Sequence, residues 1–247
     1  MKPLQDKGAI VTGGSRGIGA AIVRRLASDG AMLVFSYARD QDSATSVVQS
    51  VNEHGGQAMA VRIDLANDDA VAELMGFASR HLDGLDILVN NAALQFEPAP
   101  ISQMDDATFD AIMTVNAKAV FRAIRHAATE MRDNGRIINI STLNTVRPAP
   151  GNAPYAASKG AVEQLTKVAA AELGERGITV NAVAPGATDT DLLRASNPGD
   201  ALERIVKLTP MRRLGRPEDI ADVVALLAHP SSRWVTGQII GANGGLG

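Results

Sequence analysis

The chain has 247 residues, of which 45% are hydrophobic and 21% are charged, and its 24 Lys+Arg against 27 Asp+Glu give a formal net charge of −3. This balance, without any long run of basic residues, argues against nucleic acid or an anionic membrane as a partner. No apolar stretch predicts a membrane span and no signal-peptide pattern opens the sequence, so we expect a cytoplasmic protein. The sequence has no cysteine, which excludes disulfides and thiolate metal sites.

Short apolar runs alternate with helical patterns along the whole chain. Strands are predicted at residues 8–12, 31–36, 58–63, 85–90, 136–141, 179–184 and 238–241. The alternation favours an α/β fold with a doubly wound parallel sheet flanked by helices on both faces. No linker interrupts it, so residues 1–247 are interpreted as a single domain.

Three longer segments differ from this regular alternation. Residues 105–132 and 155–176 predict long alanine-rich helices, whose small side chains fit either a subunit interface or close packing inside one subunit. Residues 188–213, which include Asn197-Pro198-Gly199, break the βα pattern. A long excursion of this kind predicts a substrate lid.

A glycine-rich turn, TGGSRGIG over residues 12–19, follows the first predicted strand and leads into a helical pattern. The spacing of Gly13, Gly17 and Gly19 lets the chain turn sharply and brings backbone N–H groups to a pyrophosphate at the helix N-terminus. The order strand, turn, helix favours a nucleotide site over a purely structural turn. The turn lacks the Gly-Lys-Ser/Thr of an NTPase cradle, so a dinucleotide is the expected ligand.

The end of the second predicted strand indicates which dinucleotide binds. An acid at this place binds a ribose 2′-hydroxyl, whereas arginine accommodates a 2′-phosphate. Arg16, Arg39 and the Ser36 hydroxyl suit a 2′-phosphate, which favours NADP(H) over NAD(H). Asp40 lies near the place of the acid and Arg39 is alternatively a solvated charge, so NAD(H) stays open. We interpret Asp40 as the N-cap of the next helix.

Tyr155 and Lys159 lie in the helical pattern APYAASKGAVEQL. Residues four apart on a helix share a face, so the phenol and the ammonium can meet in one pocket. A tyrosine acid–base needs its pKa lowered from about 10 toward neutrality, about 4 kcal/mol, and an ammonium about 4 Å away supplies this at an effective dielectric of about 20. An isolated Tyr-x-x-x-Lys also arises by chance, so its meaning depends on the surrounding motifs.

Ordered motifs over essentially the whole chain resemble the short-chain dehydrogenase/reductase family, NAD(P)-dependent enzymes with a Rossmann-type fold. The matching positions are residues 12–19, Asp64-Leu65, Asn90-Asn91-Ala92, Asn116, Tyr155-x-x-x-Lys159, Pro185-Gly186 and Thr190. The overall similarity is to 3-oxoacyl-acyl-carrier-protein reductases and to glucose dehydrogenases. Several motifs in this order are far more specific than any one of them.

The resemblance implies a role for each catalytic residue. Tyr155 transfers the proton to or from the substrate oxygen, and Lys159 lowers the pKa of the phenol and holds the nicotinamide ribose. Asn116 anchors a water of the proton relay. Alternatively, Asn116 is a polar residue that breaks the helix and is satisfied by backbone groups, which in this family is also part of that role. Proton transfer of this kind serves hydride exchange between nicotinamide and a carbonyl or secondary alcohol.

The glycine turn and the resemblance together imply the cofactor contacts. The expected residues are Gly13, Ser15, Arg16, Gly17, Ile18, Gly19, Ser36, Arg39, Asp64, Leu65, Asn90, Ala92, Tyr155, Lys159, Pro185, Gly186, Thr188 and Thr190. Asp64 accepts from the adenine amino group or, alternatively, caps the helix that starts near residue 68. Thr188 and Thr190 line the nicotinamide or form an ordinary turn. No metal is expected, because the four histidines are scattered without ligand spacing.

Two positions depart from the family pattern. The usual serine thirteen residues before the catalytic tyrosine is Thr142, with Ser141 before it. Successive side chains of an extended segment point to opposite faces, so we assign the contact with the substrate oxygen to Thr142, whose methyl narrows the pocket. The usual Asn-Asn-Ala-Gly ends in Ala93, which restricts the backbone near the cofactor.

The substrate is expected to be a small-molecule ketone, a 3-oxoacyl thioester or a sugar. A substrate bound to acyl carrier protein needs basic residues at the pocket mouth, and the candidates are Arg122, Arg125, Arg132, Arg136 and Arg147. The alternative function is a nucleotide-sensing or scaffold protein that keeps the fold without the chemistry. The resemblance also implies a homotetramer, with contacts from the helix at Tyr155 and from residues 241–247.

Overall fold

The computed structural model describes residues 2–196 and 199–247, and over these ranges seven strands form one sheet. The strands are β1 (Gly8–Val11), β2 (Met32–Tyr37), β3 (Gln57–Arg62), β4 (Leu85–Asn90), β5 (Met131–Ile140), β6 (Thr179–Pro185) and β7 (Ile239–Ala242). Their order is β3-β2-β1-β4-β5-β6-β7, and every neighbouring pair is parallel. The predicted parallel sheet is confirmed, with most strand ends within a residue of the prediction.

The fifth strand begins earlier than predicted. Residue 136 was the expected start, but Met131 already pairs with Leu85, and the register shifts between Leu85 and Ile87. The polar, exposed residues between Met131 and Gly135 hide this start from a hydrophobic pattern, and Asn134 there has a positive φ of 62°.

Helices cover both faces of the sheet, as predicted. They are α1 (Gly17–Ser28), α2 (Gln41–Glu53), α3 (Ala70–His81), α4 (Asp106–Met113), α5 (Ala119–Glu130), α6 (Ala153–Leu173), α7 (Asp191–Ser196), α8 (Gly199–Leu208) and α9 (Pro217–Ala228). Buried side chains of α1, α2 and α9 form one core cluster, and those of α3, α5 and α6 form the other. This is a doubly wound, Rossmann-type architecture.

The two long alanine-rich helices differ in their continuity. The one predicted over residues 105–132 is divided into α4 and α5 by a π-helical turn at Thr114–Lys118, whereas α6 continues unbroken to Leu173 and ends in a 3₁₀ turn. Single π turns in α-helices often mark functional sites.

The sheet order reverses between β1 and β4. From β1 the chain proceeds outward to β2 and β3, and from β4 it proceeds the other way to β5, β6 and β7. In open α/β sheets a ligand crevice lies at the carboxyl ends of the strands at such a switch point. The glycine turn and the carboxyl ends of β4, β5 and β6 therefore border one crevice.

The two ends of the segment predicted as a lid lie next to each other. Thr188 forms a parallel bridge with Gly215, which brings the two ends of the segment together, and α7 and α8 lie between them. Asn197 and Pro198, part of the predicted break, lie outside the described residues. No helix among the described residues has the length and apolar character needed to cross a membrane.

Candidate active site

The glycine turn is fixed by its neighbour β2. The Gly13 N–H donates to Ser36 Oγ at 3.4 Å, and the Gly14 N–H donates to the Ser36 carbonyl at 2.9 Å. Gly13 and Gly17 have positive φ values of 67° and 51°, which favour glycine. A Cβ at Gly19 would lie 2.1 Å from the Gly13 carbonyl oxygen, so the third glycine permits the close contact of helix and turn.

The N-terminus of α1 faces the crevice with its charge uncompensated. Its N-cap is Arg16, no side chain of the described residues caps it, and its first turn holds no acidic residue. Ser15, Gly17 and Ile18 are partly exposed there. An open helix N-terminus with backbone N–H groups pointing outward is suited to a pyrophosphate, so these residues fit the phosphates of a dinucleotide.

Asn91 and Thr12 join this turn to β4. Thr12 Oγ1 accepts from the N–H groups of Asn91 at 2.9 Å and Ala92 at 3.0 Å. The Asn91 Nδ2 donates to the carbonyls of Thr12 at 2.9 Å and Gly13 at 3.0 Å. Ala92 thus lies at the crevice as predicted, while Asn91 and Thr12, which were not predicted as site residues, hold the turn in place.

Asp40 is the N-cap of α2, which confirms the interpretation of this residue. Its carboxylate accepts from the Ser43 N–H at 2.9 Å and from the Ser43 hydroxyl at 2.6 Å. The hydrogen bonds from Ser43 lower the pKa of Asp40, with a further contribution from the charge of Arg16. The acid is therefore engaged in its own helix, and Arg16 lies close to the end of β2.

The arginines at the end of β2 number more than predicted. Arg16 and Arg39 are exposed there, and Arg62, from the end of β3, donates from Nε to the Ala38 carbonyl at 3.2 Å. Ser36 is 1% exposed and its hydroxyl accepts from the Gly13 N–H, so its position supports the turn, and its contact with a 2′-phosphate stays a prediction. Arg62 was missed because nothing local links it to the second strand.

The residues predicted for the adenosine side take three different positions. Asp64 is exposed, and its Oδ1 accepts from the Ala66 N–H at 3.0 Å, so it does not cap α3, whose N-cap is Asp69. Leu65 is buried in the core cluster beneath the crevice. Asn90 is buried, and its Nδ2 donates to Asn139 Oδ1 at 2.8 Å. Its position thus braces β4 against β5.

Tyr155 stands in the first turn of α6 and faces the end of β5. The half-buried phenol is hydrogen-bonded to the Thr142 side chain. Burial raises the pKa of Tyr155 above its usual value, and the Thr142 hydrogen bond opposes this rise. The loss of hydration around the phenol is the largest influence on its pKa here, and the lowering of this pKa by the lysine ammonium stays a prediction.

Lys159 lies one helical turn further along and is completely enclosed. Its side chain is among the largest fully buried ones, and its Nζ donates to the Ile140 carbonyl at 2.7 Å. Nζ lies 5.8 Å from the centroid of the Tyr155 ring, so the predicted pair does share a pocket. Burial lowers the pKa of Lys159 from 10.5 to about 8.

Asn116 sits in the π turn and connects three segments. Its Oδ1 accepts from the Leu94 N–H at 2.8 Å, and its Nδ2 donates to Ser158 Oγ at 3.2 Å. Ser158 in turn donates to the Tyr155 carbonyl at 2.8 Å. Asn116 is fully buried and satisfied in part by a backbone group, and Ser158, not predicted, links it to α6.

Thr142 and Ser141 contact different residues of α6, as expected for successive side chains of an extended segment. Thr142 Oγ1 faces Tyr155 and also accepts from the Asn144 N–H at 3.3 Å. Ser141 Oγ donates instead to Glu163 Oε1 at 2.6 Å. Thr142 is therefore the hydroxyl next to the phenol.

The segment after β6 folds against the glycine turn. Pro185 ends β6, and the Gly186 N–H donates to the Ala242 carbonyl at 3.0 Å. Thr188 Oγ1 donates to the Gly186 carbonyl at 3.1 Å, and Thr190 Oγ1 donates to the Thr188 carbonyl at 3.3 Å. A Cβ at Gly17 would lie 3.3 Å from Thr190 Cγ2. Both threonines thus make turn contacts, and Thr190 borders the crevice.

An aromatic side chain forms one wall beside the phenol. The rings of Phe96 and Tyr155 stack with centroids 6.3 Å apart. The Phe96 loop is tied to the loop after β5 by the Ala99 N–H, which donates to the Gly151 carbonyl at 3.2 Å. Among the residues described, no group of three or more His, Cys, Asp or Glu is placed to hold a metal ion.

The sequence matches a family model described as enoyl-(acyl carrier protein) reductase over residues 13–247. The 3-oxoacyl-[acyl-carrier-protein] reductase FabG of Staphylococcus epidermidis is 37% identical over 98% of this chain and 99% of its own. These matches extend over the glycines of the turn and over the residues predicted as catalytic.

Solved structures agree with this relationship. The short-chain dehydrogenase/reductase from Serratia marcescens superposes with a TM-score of 0.94 at 42% identity, covering 99% of each chain. The angucycline C-6 ketoreductase LanV with bound NADP superposes with a TM-score of 0.92 at 39% identity, over 99% of this chain and 96% of its own. The chain therefore belongs to the short-chain dehydrogenase/reductase family and is an NAD(P)-dependent oxidoreductase acting on carbonyl and CH–OH groups.

Proposed function

We propose that the protein is an NADPH-dependent ketoreductase that converts a small-molecule ketone into a secondary alcohol. The observation that carries this proposal is the buried constellation at the end of β5, in which the Tyr155 hydroxyl is hydrogen-bonded to Thr142 beside the enclosed Lys159. This arrangement supplies a proton donor next to a second hydroxyl, which is what a carbonyl oxygen requires as it becomes an alkoxide.

The crevice fits a nicotinamide dinucleotide. The open N-terminus of α1 takes the pyrophosphate, and Gly17 and Gly19 leave room for it. Lys159, Pro185, Gly186 and Thr190 would hold the nicotinamide half. When bound in reduced form, the cofactor supplies the hydride for the carbonyl carbon.

Tyr155 acts as the general acid. Burial raises the pKa of the phenol, so at neutral pH its Oη carries a proton and donates it to the carbonyl oxygen. Thr142 hydrogen-bonds the same oxygen and stabilises its negative charge. Asn116 and Lys159 hold the surrounding backbone and provide the path by which the phenol regains its proton.

The preference for NADPH rests on the arginines at the end of β2. Arg16, Arg39 and Arg62 are exposed there, and Asp40 is engaged by Ser43. Guanidinium groups bind phosphate with charge-assisted hydrogen bonds, so this surface favours a 2′-phosphate. The bound NADP of the similar ketoreductase LanV supports the same choice.

A free ketone is favoured over an acyl-carrier-protein substrate, because most of the candidate arginines are engaged elsewhere. Arg122 pairs with Asp68, Arg132 with Asp83, and Arg136 is buried. Arg147 donates to the Leu246 carbonyl at 2.5 Å. Turnover of a 3-oxoacyl thioester, the substrate class given in the name of FabG, would be a different result of the carbonyl assay.

A homotetramer is the assembly we propose. Large apolar side chains on the outer helices and near the C-terminus are exposed, among them Phe109, Phe121, Val168, Leu226 and Trp234. Association of subunits would remove these side chains from water, which is favourable for apolar surface. Light scattering on the purified protein distinguishes a tetramer from a dimer or monomer.

The experiment that tests the function is titration calorimetry with NADPH and NADH, followed by a panel of ketones, 3-oxoacyl thioesters and sugars monitored by NADPH absorbance. We expect tighter binding of NADPH and turnover of at least one ketone. Nucleotide binding without turnover of any carbonyl or alcohol would favour the sensing or scaffold alternative. Preference for NADH would move Asp40 into the ribose site and favour an alcohol or sugar dehydrogenase.

A further inference from the structure

Glu163 occupies the same face of α6 as Tyr155 and Lys159, one further turn from the crevice. Its Oε1 accepts hydrogen bonds from Ser141 Oγ at 2.6 Å and from Thr145 Oγ1 at 2.8 Å. Ser141 directly follows β5, and Thr145 ends the 3₁₀ turn that begins at Leu143. One carboxylate oxygen thus receives a hydroxyl from each side of Thr142.

The segment between these two contacts is short, and its backbone is also held by the Ser141 N–H, which donates to the Val183 carbonyl at 2.7 Å, and by the Leu143 carbonyl, which accepts from the Arg147 N–H at 2.9 Å. Thr142 Oγ1 accepts from the Asn144 N–H at 3.3 Å, and Thr145 Oγ1 is also within 3.0 Å of the Thr142 carbonyl. A threonine hydroxyl has one proton, and the carboxylate is its stronger acceptor. Because charge-assisted hydrogen bonds are short and directional, the contacts of Glu163 add side-chain restraints at both ends of this segment to those of its backbone.

The positions of the two hydroxyls are coupled by backbone geometry. Ser141 and Thr142 are consecutive in extended backbone and point to opposite faces. When Ser141 is bound to Glu163, the Thr142 side chain points toward Tyr155. A rotation of the segment that freed Ser141 would also turn Thr142 away from the phenol.

We propose that Glu163 is a positioning residue, which holds Ser141 and Thr145 so that the Thr142 hydroxyl faces Tyr155 and the substrate oxygen. It acts through Thr142 and does not contact the substrate. The expected effect of Glu163 on turnover rests on the proposed function. Its hydrogen bonds with Ser141 and Thr145 do not require a bound cofactor.

The first test is a double-mutant cycle on ketone reduction. Because misplacement of a catalytic group by about 1 Å can cost about 100-fold, we expect Glu163→Ala to lower kcat by about 10- to 100-fold, with the Kd for NADPH unchanged. Glu163→Gln keeps an oxygen in the accepting place and should restore most of kcat. In a Thr142→Ala background, Glu163→Ala should cause no further loss of kcat. Glu172→Gln, an exposed glutamate of the same helix, is the matched control.

The second test reads the Thr142 contact without turnover. The chain has two tyrosines, so in a Tyr37→Phe background the phenolate absorbance reports Tyr155 alone. The Thr142 hydrogen bond lowers the pKa of Tyr155, so Thr142→Ala should raise it. Glu163→Ala should raise it in the same direction, and the double variant should raise it no more than Thr142→Ala does.

Each outcome decides the question. The proposal is overturned if the titration of Tyr155 is unchanged in Glu163→Ala. It is also overturned if Glu163→Ala lowers kcat equally in the wild type and in the Thr142→Ala background. A loss of thermal stability with neither effect would show a purely structural contact. If the wild type reduces no carbonyl, the proposed function fails while the titration still tests Glu163.

Discussion

The two halves of the crevice are built by opposite means. On the side of β1, β2 and β3 the site is formed by backbone groups and by the absence of side chains, as at Gly19, where a Cβ would lie 2.1 Å from the Gly13 carbonyl oxygen. On the side of β4, β5 and β6 it is formed by side chains that hydrogen-bond one another, as in the contact between Asn116 and Ser158. The first half fits a rigid group of the ligand. The second half holds the proton donor in position.

This difference predicts how each half fails. Adding a side-chain atom to a glycine of the first half displaces the closely packed backbone of the turn. Binding of the cofactor is then lost. Removing a polar atom damages the second half, because its partners are buried, and turnover is lost while binding survives. The variants below test this separation of binding from turnover.

Tyr155→Phe removes one hydroxyl from the second half and should have the largest effect. Without the proton donor, kcat should fall by about 1,000-fold, within the range of general acid catalysis. The ring and its stacking with Phe96 stay, so NADPH should bind with unchanged affinity by calorimetry. Substantial turnover in this variant would show that another group donates the proton.

Gly19→Ala adds one methyl to the first half. Opening the turn to admit it costs about 3 kcal/mol, so the affinity for NADPH should fall by about 100-fold. Gly174→Ala is the control, because a Cβ there meets nothing within 4 Å. If Gly19→Ala binds NADPH normally and loses only kcat, the two halves are not separable as described.

Lys159 gives the second half a pH signature in stability. Burial lowers its pKa from 10.5 to about 8, so between these values the folded protein loses a proton that the unfolded chain keeps. The free energy of unfolding contributed by Lys159 is therefore flat below this window and rises with pH across it, by at most about 1.4 kcal/mol per pH unit, or about tenfold in the equilibrium constant.

The measurement compares wild type with Lys159→Met by urea denaturation from about pH 7 to about pH 10. Other groups titrate in both proteins, so the difference isolates Lys159. A difference that does not change with pH would show that Lys159 keeps its ordinary pKa in the folded protein.

Local and periodic features of the molecule were predictable from the sequence. The strands follow from apolar runs that alternate with helical patterns, and Asp40 was identified as a cap because capping depends on one residue and the three that follow it. The different partners of Ser141 and Thr142 followed from extended backbone in the same way. These features need no knowledge of distant partners.

Contacts between distant segments were not predictable. Glu163 meets Ser141, and Arg62 meets Ala38, only after the sheet has formed. The burial that raises the pKa of Tyr155 was not predictable either, because the charge of a neighbour is visible in a spacing, whereas burial is not. The π turn at Asn116 was likewise hidden in a continuous helical pattern.

Arg39→Ala tests whether side chains contribute to binding in the first half. An exposed guanidinium on a phosphate contributes about 1 kcal/mol, so NADPH affinity should fall by about fivefold while NADH affinity stays constant. Calorimetry at low and high salt measures both, and the effect should shrink at high salt. Arg24→Ala, an exposed arginine of α1 outside the crevice, is the control. Equal losses for the two cofactors would exclude a 2′-phosphate contact.

Phe96→Ala concerns the loop after β4, where the two halves meet the substrate. The ring stacks on Tyr155 with centroids 6.3 Å apart and offers an aromatic face to a ketone. Stacking of aromatic pairs contributes about 1 kcal/mol, so KM for an aryl ketone should rise by about fivefold or less, with KM for a small aliphatic ketone unchanged. Phe96→Leu keeps the volume without the ring and should separate stacking from packing. If only kcat changes, and equally for both ketones, Phe96 acts by orienting Tyr155. Its ring then contributes to catalysis and does not select between substrates.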